Sequence, residues 1–285
     1  MYFYRKKDKG IEFPEDILIE TTNRCNARCV FCHHPKMKRP LTDMSDQLFL
    51  KLLGDLKGMT VKTVTPFVSG EIFMDKKIFD RLKLLNHELP GVGIVIYTNG
   101  SLLNEEAAEK LSGIKNIRLI NFSLNGFERE DYKKRVGLDF ERVVKNIKNV
   151  VRLNAGRRFS DKITVASVEY GKEDKVKNKR YNDAFCRFCA KNFPGVEVKV
   201  GYKYNFLSRI FSARGFKDIY CPHLKSMAIL ANGLVSLCCM DMEGEYILGN
   251  ANERSLMDIF NGSLAREYRH HRKSHMVPCR SCNMI

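Results

Sequence analysis

Short apolar runs rich in β-branched residues alternate along this chain with longer stretches whose apolar residues recur every three or four positions. That alternation leaves few folds open. The short runs fall at 17–20, 61–68, 93–97, 117–123, 163–169 and 196–202, and helical periodicity falls between them at 46–57, 76–87, 105–111, 140–153 and 178–192. Ser45 or Asp46, and Asn104, stand where helix N-caps belong. Strands joined by helices run parallel, and right-handed crossovers curl such units toward a barrel whose functional loops lie at the strand C-termini. The expected fold is therefore α/β: a partial (β/α)6 TIM barrel over 16–205, preceded by an extension over 1–15. From 206 to 285 the rhythm is lost, and Gly233, Gly244, Gly249, Gly262 and five cysteines punctuate the chain. A piece of that size has little core of its own, so it reads as a small subdomain stapled by metal.

Cellular context decides what the cysteines mean. No segment approaches the ~18 consecutive apolar residues of a membrane span, and no apolar run follows the charged first ten residues as in a secretory signal. The expectation is a cytoplasmic protein without a membrane span. Thiols stay reduced there, so ten cysteines in 285 residues point to metal rather than to disulfides. The net charge of +16 is spread over runs at 5–9, 36–39, 172–180 and 269–273, none interleaved with aromatics. It reads first as a solvated surface, with RNA a less favoured partner.

Directly after the first strand, Cys25, Cys29 and Cys32 form a CxxxCxxC loop within TNRCNARCVFCHHP. Three thiolates so close can wrap one face of an iron–sulfur cubane and leave its fourth iron open for chemistry. Zinc is the rival; it needs a fourth ligand, which His33 or His34 could supply.

The loop CNARCVFC after a strand, in a chain of βα repeats, resembles the signature of the radical S-adenosylmethionine (SAM) superfamily. The resemblance implies that Cys25, Cys29 and Cys32 bind a [4Fe–4S] cluster and that Phe31 lies against the SAM adenine. SAM would chelate the open iron, and one electron, from an external reductant such as flavodoxin or ferredoxin, would break a carbon–sulfur bond. The resulting 5′-deoxyadenosyl radical takes a hydrogen atom from substrate. Ser69-Gly70-Glu71 resembles the family's GGE motif with Ser at its first position, and Glu71 would pair with the SAM ammonium. Thr98-Asn99-Gly100 resembles its TNG turn, and Ser123 and Asn125 sit where the family presents polar groups to the ribose and carboxylate.

The C-terminal segment resembles the SPASM or shorter twitch extension. That implies a second [4Fe–4S] cluster on Cys221, Cys238, Cys279 and Cys282, with Cys239 the rival for the second position and a zinc ribbon the alternative. Cys186 and Cys189 form a further CxxC on a helical stretch, where core packing is the plain reading. Cys239, Cys186 and Cys189 are also candidate hydrogen-atom donors to a substrate radical. The reaction would end in oxidation, if the second cluster takes an electron, or in epimerisation, if a thiol returns a hydrogen atom. About fifteen residues before the first strand leave no room for a peptide-leader domain, which favours a small or phosphorylated metabolite or carbohydrate over a peptide. Two other classes remain: a two-cluster electron carrier and a zinc-dependent nucleic-acid-binding module.

Overall fold

The computed structural model describes residues 13–169, 175–201, 203–210, 221–270, 277–280 and 282. Most of the extension over 1–15, with its basic run, and parts of the runs at 172–180 and 269–273 lie outside the described residues.

The chain begins with β1 (Asp16–Ile19), α1 (Asp46–Leu56), β2 (Thr63–Thr65), α2 (Ile78–Glu88), β3 (Gly93–Thr98), α3 (Glu105–Ser112) and β4 (Ile117–Ser123). It continues through α4 (Arg129–Val136), α5 (Phe140–Arg157), β5 (Ile163–Val168), α6 (Lys175–Asn192) and β6 (Glu197–Gly201). Both expected caps form: Ser45 accepts from the Leu48 N–H, and Asn104 from that of Ala107. Strand β2 is shorter than its apolar run because Pro66 has no N–H for the ladder and the Phe67 N–H turns back to the Thr65 carbonyl, 2.7 Å away. Helix α4, unexpected from its polar sequence, buries Tyr132 and Val136 and is closed by Gly137 in the left-handed conformation, φ 81°.

Strands β1 to β6 are parallel, each paired to the next, and form the partial barrel. Alternation along each strand divides its side chains between two faces. Ile17, Ile19, Val64, Ile94, Ile96, Ile120, Phe122 and Val165 are fully buried against the helices. On α1 they meet Leu48, Phe49, Leu52, Leu53 and Leu56, each worth roughly 1.5–3 kcal/mol of burial. Their alternates, among them Thr65, Tyr97, Asn121 and Ser123, occupy the other face.

Past the barrel come β7 (Ser226–Ile229), β8 (Leu234–Ser236), β9 (Ile247–Asn250), α7 (Leu256–Phe260) and α8 (Ser263–His270), then a last short helical segment, Val277–Arg280. Strand β7 pairs parallel with β1, Asp16 opposite Ser226 through Ile19 opposite Ile229, and β8 and β9 follow antiparallel. The described strands thus make one sheet in the order β6-β5-β4-β3-β2-β1-β7-β8-β9. The C-terminal segment covers the edge that β1 would otherwise leave open.

Candidate cluster and cofactor site

The loop bearing Cys25, Cys29 and Cys32 leaves the C-terminal end of β1 and is held from several sides. The Arg28 and Val30 N–H groups donate to the Val136 and Arg135 carbonyls at the end of α4, each at 2.9 Å. The Asn26 side chain donates to Ser101 Oγ at 2.8 Å and accepts from Asn99 at 2.9 Å. Each thiol is half-buried. The Ala27 N–H points at Cys25 Sγ and the His34 N–H at Cys32 Sγ, both 3.4 Å away. Burial, reinforced by Glu71 and Cys32, pushes the Cys25 thiol up to about 12. Cys29 and Cys32 rise for the same first reason, and Cys29 is raised further by its two neighbouring thiols. The metal-free loop therefore keeps its protons, and a cationic centre is what would draw out three thiolates.

This donor set fits an iron–sulfur cluster. The two histidines that would complete a zinc site are turned to other work: His33 Nε2 meets Glu243 Oε1 at 2.6 Å, and His34 Nε2 meets the Asn23 carbonyl at 2.7 Å.

The ends of β2 and β3 converge on the loop. At Gly70 the backbone takes φ +87°, and a Cβ there would lie 2.7 Å from the Arg24 carbonyl, so only glycine lets β2 come so close. The Glu71 N–H uses that proximity, donating to Arg24 O at 2.7 Å. The Glu71 carboxylate is buried and accepts from Thr98 Oγ1 and the Asn99 N–H, each at 2.7 Å, and from the Phe73 N–H at 3.3 Å. Burial pushes it up to about 7 despite these donors. Ser69 points elsewhere: its hydroxyl donates to Glu20, which is completely buried. At the end of β4, Asn125 has φ 58°, and its side chain bridges the Ser123 carbonyl and the Val168 N–H.

Two features were invisible in the sequence. Arg135, buried on α4 beside Cys29, holds its guanidinium 5.7 Å from the Phe31 ring and 4.9 Å from that of Tyr181. In sequence it ends a Lys-Lys-Arg run, with nothing local to mark it for burial. Glu20 receives both Arg39 terminal nitrogens at 2.7 Å and the Ala231 N–H at 2.9 Å, while Arg39 Nε donates to the Met242 carbonyl at 2.9 Å. Glu243 accepts from the Lys38 and Arg39 N–H groups. The segment after Cys32 is thereby clamped to the C-terminal extension.

In that extension Cys238 and Cys239 are both buried deeply enough to hold their thiols far up, Cys239 at about 12. The Cys238 thiol is raised further by Cys239, Cys279 and Cys282, whereas Cys239 is raised further by Cys221 and Cys282 and its Sγ lies 3.6 Å from His223 Nδ1. Both adjacent thiols lie within electrostatic reach of other cysteines of the extension, so both stay in contention for one ligand position. Tyr97 and Tyr204, each 37% exposed, also face Cys239, on the open side of the sheet. The Cys186/Cys189 pair is not brought here: Cys189 is fully buried in the core beneath α6 and Cys186 is exposed on the same helix.

Comparison with known families matches residues 19–169 to the Radical SAM superfamily and residues 221–283 to SPASM, an iron–sulfur cluster-binding domain. An uncharacterised protein of Methanocaldococcus jannaschii is 34% identical over 137 residues, 46% of this chain and 41% of that protein. A probable GTP 3′,8-cyclase of Saccharolobus islandicus is 30% identical over 139 residues, 48% and 44% of the two chains. These matches span less than half the length of either relative. Similar solved structures include BtrN in complex with AdoMet and 2-DOIA, with TM-score 0.63, 16% identity and coverage of 96% and 94%. Another is Streptococcus suis SuiB bound to S-adenosylmethionine, with TM-score 0.69, 19% identity and coverage of 91% and 68%. Both share the fold. Among the described residues, no helix is long and apolar enough to cross a membrane.

Proposed function

The chain belongs to the radical SAM superfamily and carries a SPASM domain, and from that premise we propose that it is an enzyme that oxidises a small, hydroxyl-rich metabolite or carbohydrate. When bound, a [4Fe–4S] cluster and SAM supply one-electron cleavage of a carbon–sulfur bond and removal of a substrate hydrogen atom. The protein's part is to hold these groups and to shape the space around them.

One observation carries this reading: the three-thiol loop is hydrogen-bonded directly to the ends of β2 and β3 through Gly70-Glu71 and Asn99. Cys25, Cys29 and Cys32 would hold the first cluster. A carboxylate has about four acceptor positions, and Glu71 uses three on Thr98, Asn99 and Phe73, leaving one for the ammonium of SAM. Phe31 offers its ring to the adenine. Arg135 places its guanidinium where a carboxylate bound beside Cys29 would need a cation. Ser69 acts through Glu20, and Asn125 through the β4–β5 backbone; both shape the cofactor side.

Cys221, Cys279, Cys282 and either Cys238 or Cys239 would hold the second cluster. Both adjacent cysteines are buried and within electrostatic reach of the other cysteines of the extension, which supports electron acceptance, hence oxidation, over hydrogen return by a thiol. The inner lining supports a neutral, hydroxylated substrate. Tyr97 and Tyr204 line it from β3 and the stretch after β6, and Asn121 accepts from Thr164 Oγ1 at 2.6 Å below them. Epimerisation is the second reading, favoured only by Cys239 facing the two tyrosines.

Anaerobic reconstitution followed by iron and sulfide counting, with SAM and dithionite added, tests the assignment. About eight irons per chain and formation of 5′-deoxyadenosine are expected, from two four-iron clusters. Cys29→Ser should halve the iron and abolish 5′-deoxyadenosine. A single zinc per cysteine group, or clusters with no SAM cleavage, overturns it.

A further inference from the structure

The cysteine loop is held by two different parts of the molecule. On the Cys25 and Cys29 side its partners are barrel groups: the Glu71 N–H donates to Arg24 O, Asn99 and Ser101 bond Asn26, and the end of α4 receives the Arg28 and Val30 N–H groups. On the Cys32 side the grip comes from the C-terminal extension. His33, the residue after Cys32, places Nε2 2.6 Å from Glu243 Oε1, with both side chains more than nine-tenths buried. The same carboxylate accepts from the Lys38 N–H at 3.0 and 3.1 Å and from the Arg39 N–H at 3.1 Å. One side chain, 204 to 210 positions away, thus fixes both ends of the segment 33–39.

Glu243 is in turn held by the second cysteine group. It follows Cys238 and Cys239 on a turn in which the Asp241 N–H donates to Cys238 O and the Gly244 N–H to Asp241 O, each at 3.1 Å. The Asp241 carboxylate closes that turn, accepting from Ser236 Oγ at 2.8 Å, the Tyr246 N–H at 2.9 Å and the Glu245 N–H at 3.1 Å. Charge-assisted hydrogen bonds removed from water are strong and directional. A shift of the turn at Cys238 is thereby passed to His33, and from His33 to the neighbouring Cys32.

Resting on the radical SAM reading above, we propose that Glu243 is a positioning residue that couples the two cysteine groups, so that a cluster at the second raises the affinity of the first for SAM. A cysteine site forms as its ligands are fixed, so loading the second group orders the turn that carries Glu243. Glu243 then holds 33–39 in place before SAM arrives, and a preorganised site binds more tightly than one ordered on binding. Because the coupling runs through one carboxylate, the loss on removing Glu243 and the loss on removing the second cluster are the same loss. No bond is made or broken, and no electron passes between the clusters in this coupling.

The test titrates SAM by equilibrium dialysis against anaerobically reconstituted chains, kept oxidised and without reductant so that SAM is not consumed, and counts iron in each. Glu243→Ala should keep about eight irons yet bind SAM ~10-fold more weakly. Cys279→Ser with Cys282→Ser should keep about four irons and show a similar loss. All three substitutions together should bind SAM within about two-fold of either altered chain, where independent effects would multiply to ~100-fold. Glu243→Gln, which retains an acceptor oxygen for the Lys38 and Arg39 N–H groups, should show a smaller loss and replaces Glu243→Ala in the comparison if that chain does not reconstitute. A Glu243→Ala chain that binds SAM as tightly as the unaltered one, or losses that multiply in the combined chain, overturn the proposal. An unaltered chain that holds both clusters and binds no SAM overturns the enzymatic reading instead.

Discussion

Single residues at the strand ends combine positioning with an electrostatic cost. Glu71 is the clearest case: three donors fix it, yet burial holds it near 7 rather than at its ordinary 4.5. A carboxyl raised in the folded state binds more protons folded than unfolded between those two values, so the metal-free chain should lose stability as pH climbs from about 4.5 through 7. The loss is roughly 3 kcal/mol, at ~1.4 kcal/mol per pH unit. Glu71→Gln, neutral throughout, should remove that slope. Urea unfolding of both metal-free chains at pH 5 and pH 8 measures it, and parallel behaviour would show that Glu71 ionises without penalty. The motif around Glu71 was legible because Ser-Gly-Glu and Thr-Asn-Gly are local strings. That Ser69 serves Glu20 was not, since its partner lies 49 residues away.

At the scale of elements, β1 is the hinge of the design. It ends in the cysteine loop, and it is flanked by β2 on one side and β7 on the other, so the extension completes the sheet at the strand that matters most. Removing residues 221–285 should expose the whole N–H and C=O row of that edge of β1 and strip the Ala231 N–H from Glu20. Such a chain should aggregate, or melt well below the full chain by circular dichroism, and a truncated chain of unchanged melting temperature would show that the barrel stands without the extension. Helix content was read from periodicity and capping, which are local signals, and α1, α3 and α5 lie where that reading put them. Helix α4 escaped it because its burial rests on two apolar side chains, the buried Arg135 and a glycine stop rather than on a repeating apolar face.

For the whole molecule, the Glu20–Arg39 pair joins the end of β1, the stretch after the third cysteine and the C-terminal extension in one buried network. Arg39→Met removes one partner and strands a fully buried carboxylate, so a loss of about 3–5 kcal/mol is expected in chemical unfolding. Glu20→Gln with Arg39→Met should recover part of it, and an Arg39→Met chain as stable as the original would mean that the pair contributes nothing to stability. By itself the sequence determined the βα alternation, the spacing of Cys25, Cys29 and Cys32, and the turns at Gly70 and Asn99, because each is written within a few neighbouring residues. Only the tertiary structure decided that the extension adds strands to β1, that Arg135 is buried at the cysteine loop, and that the two cysteine groups are clamped through Arg39 and Glu243. Those contacts join residues up to 211 positions apart, and they form only when burial removes water and makes each polar group depend on a distant partner.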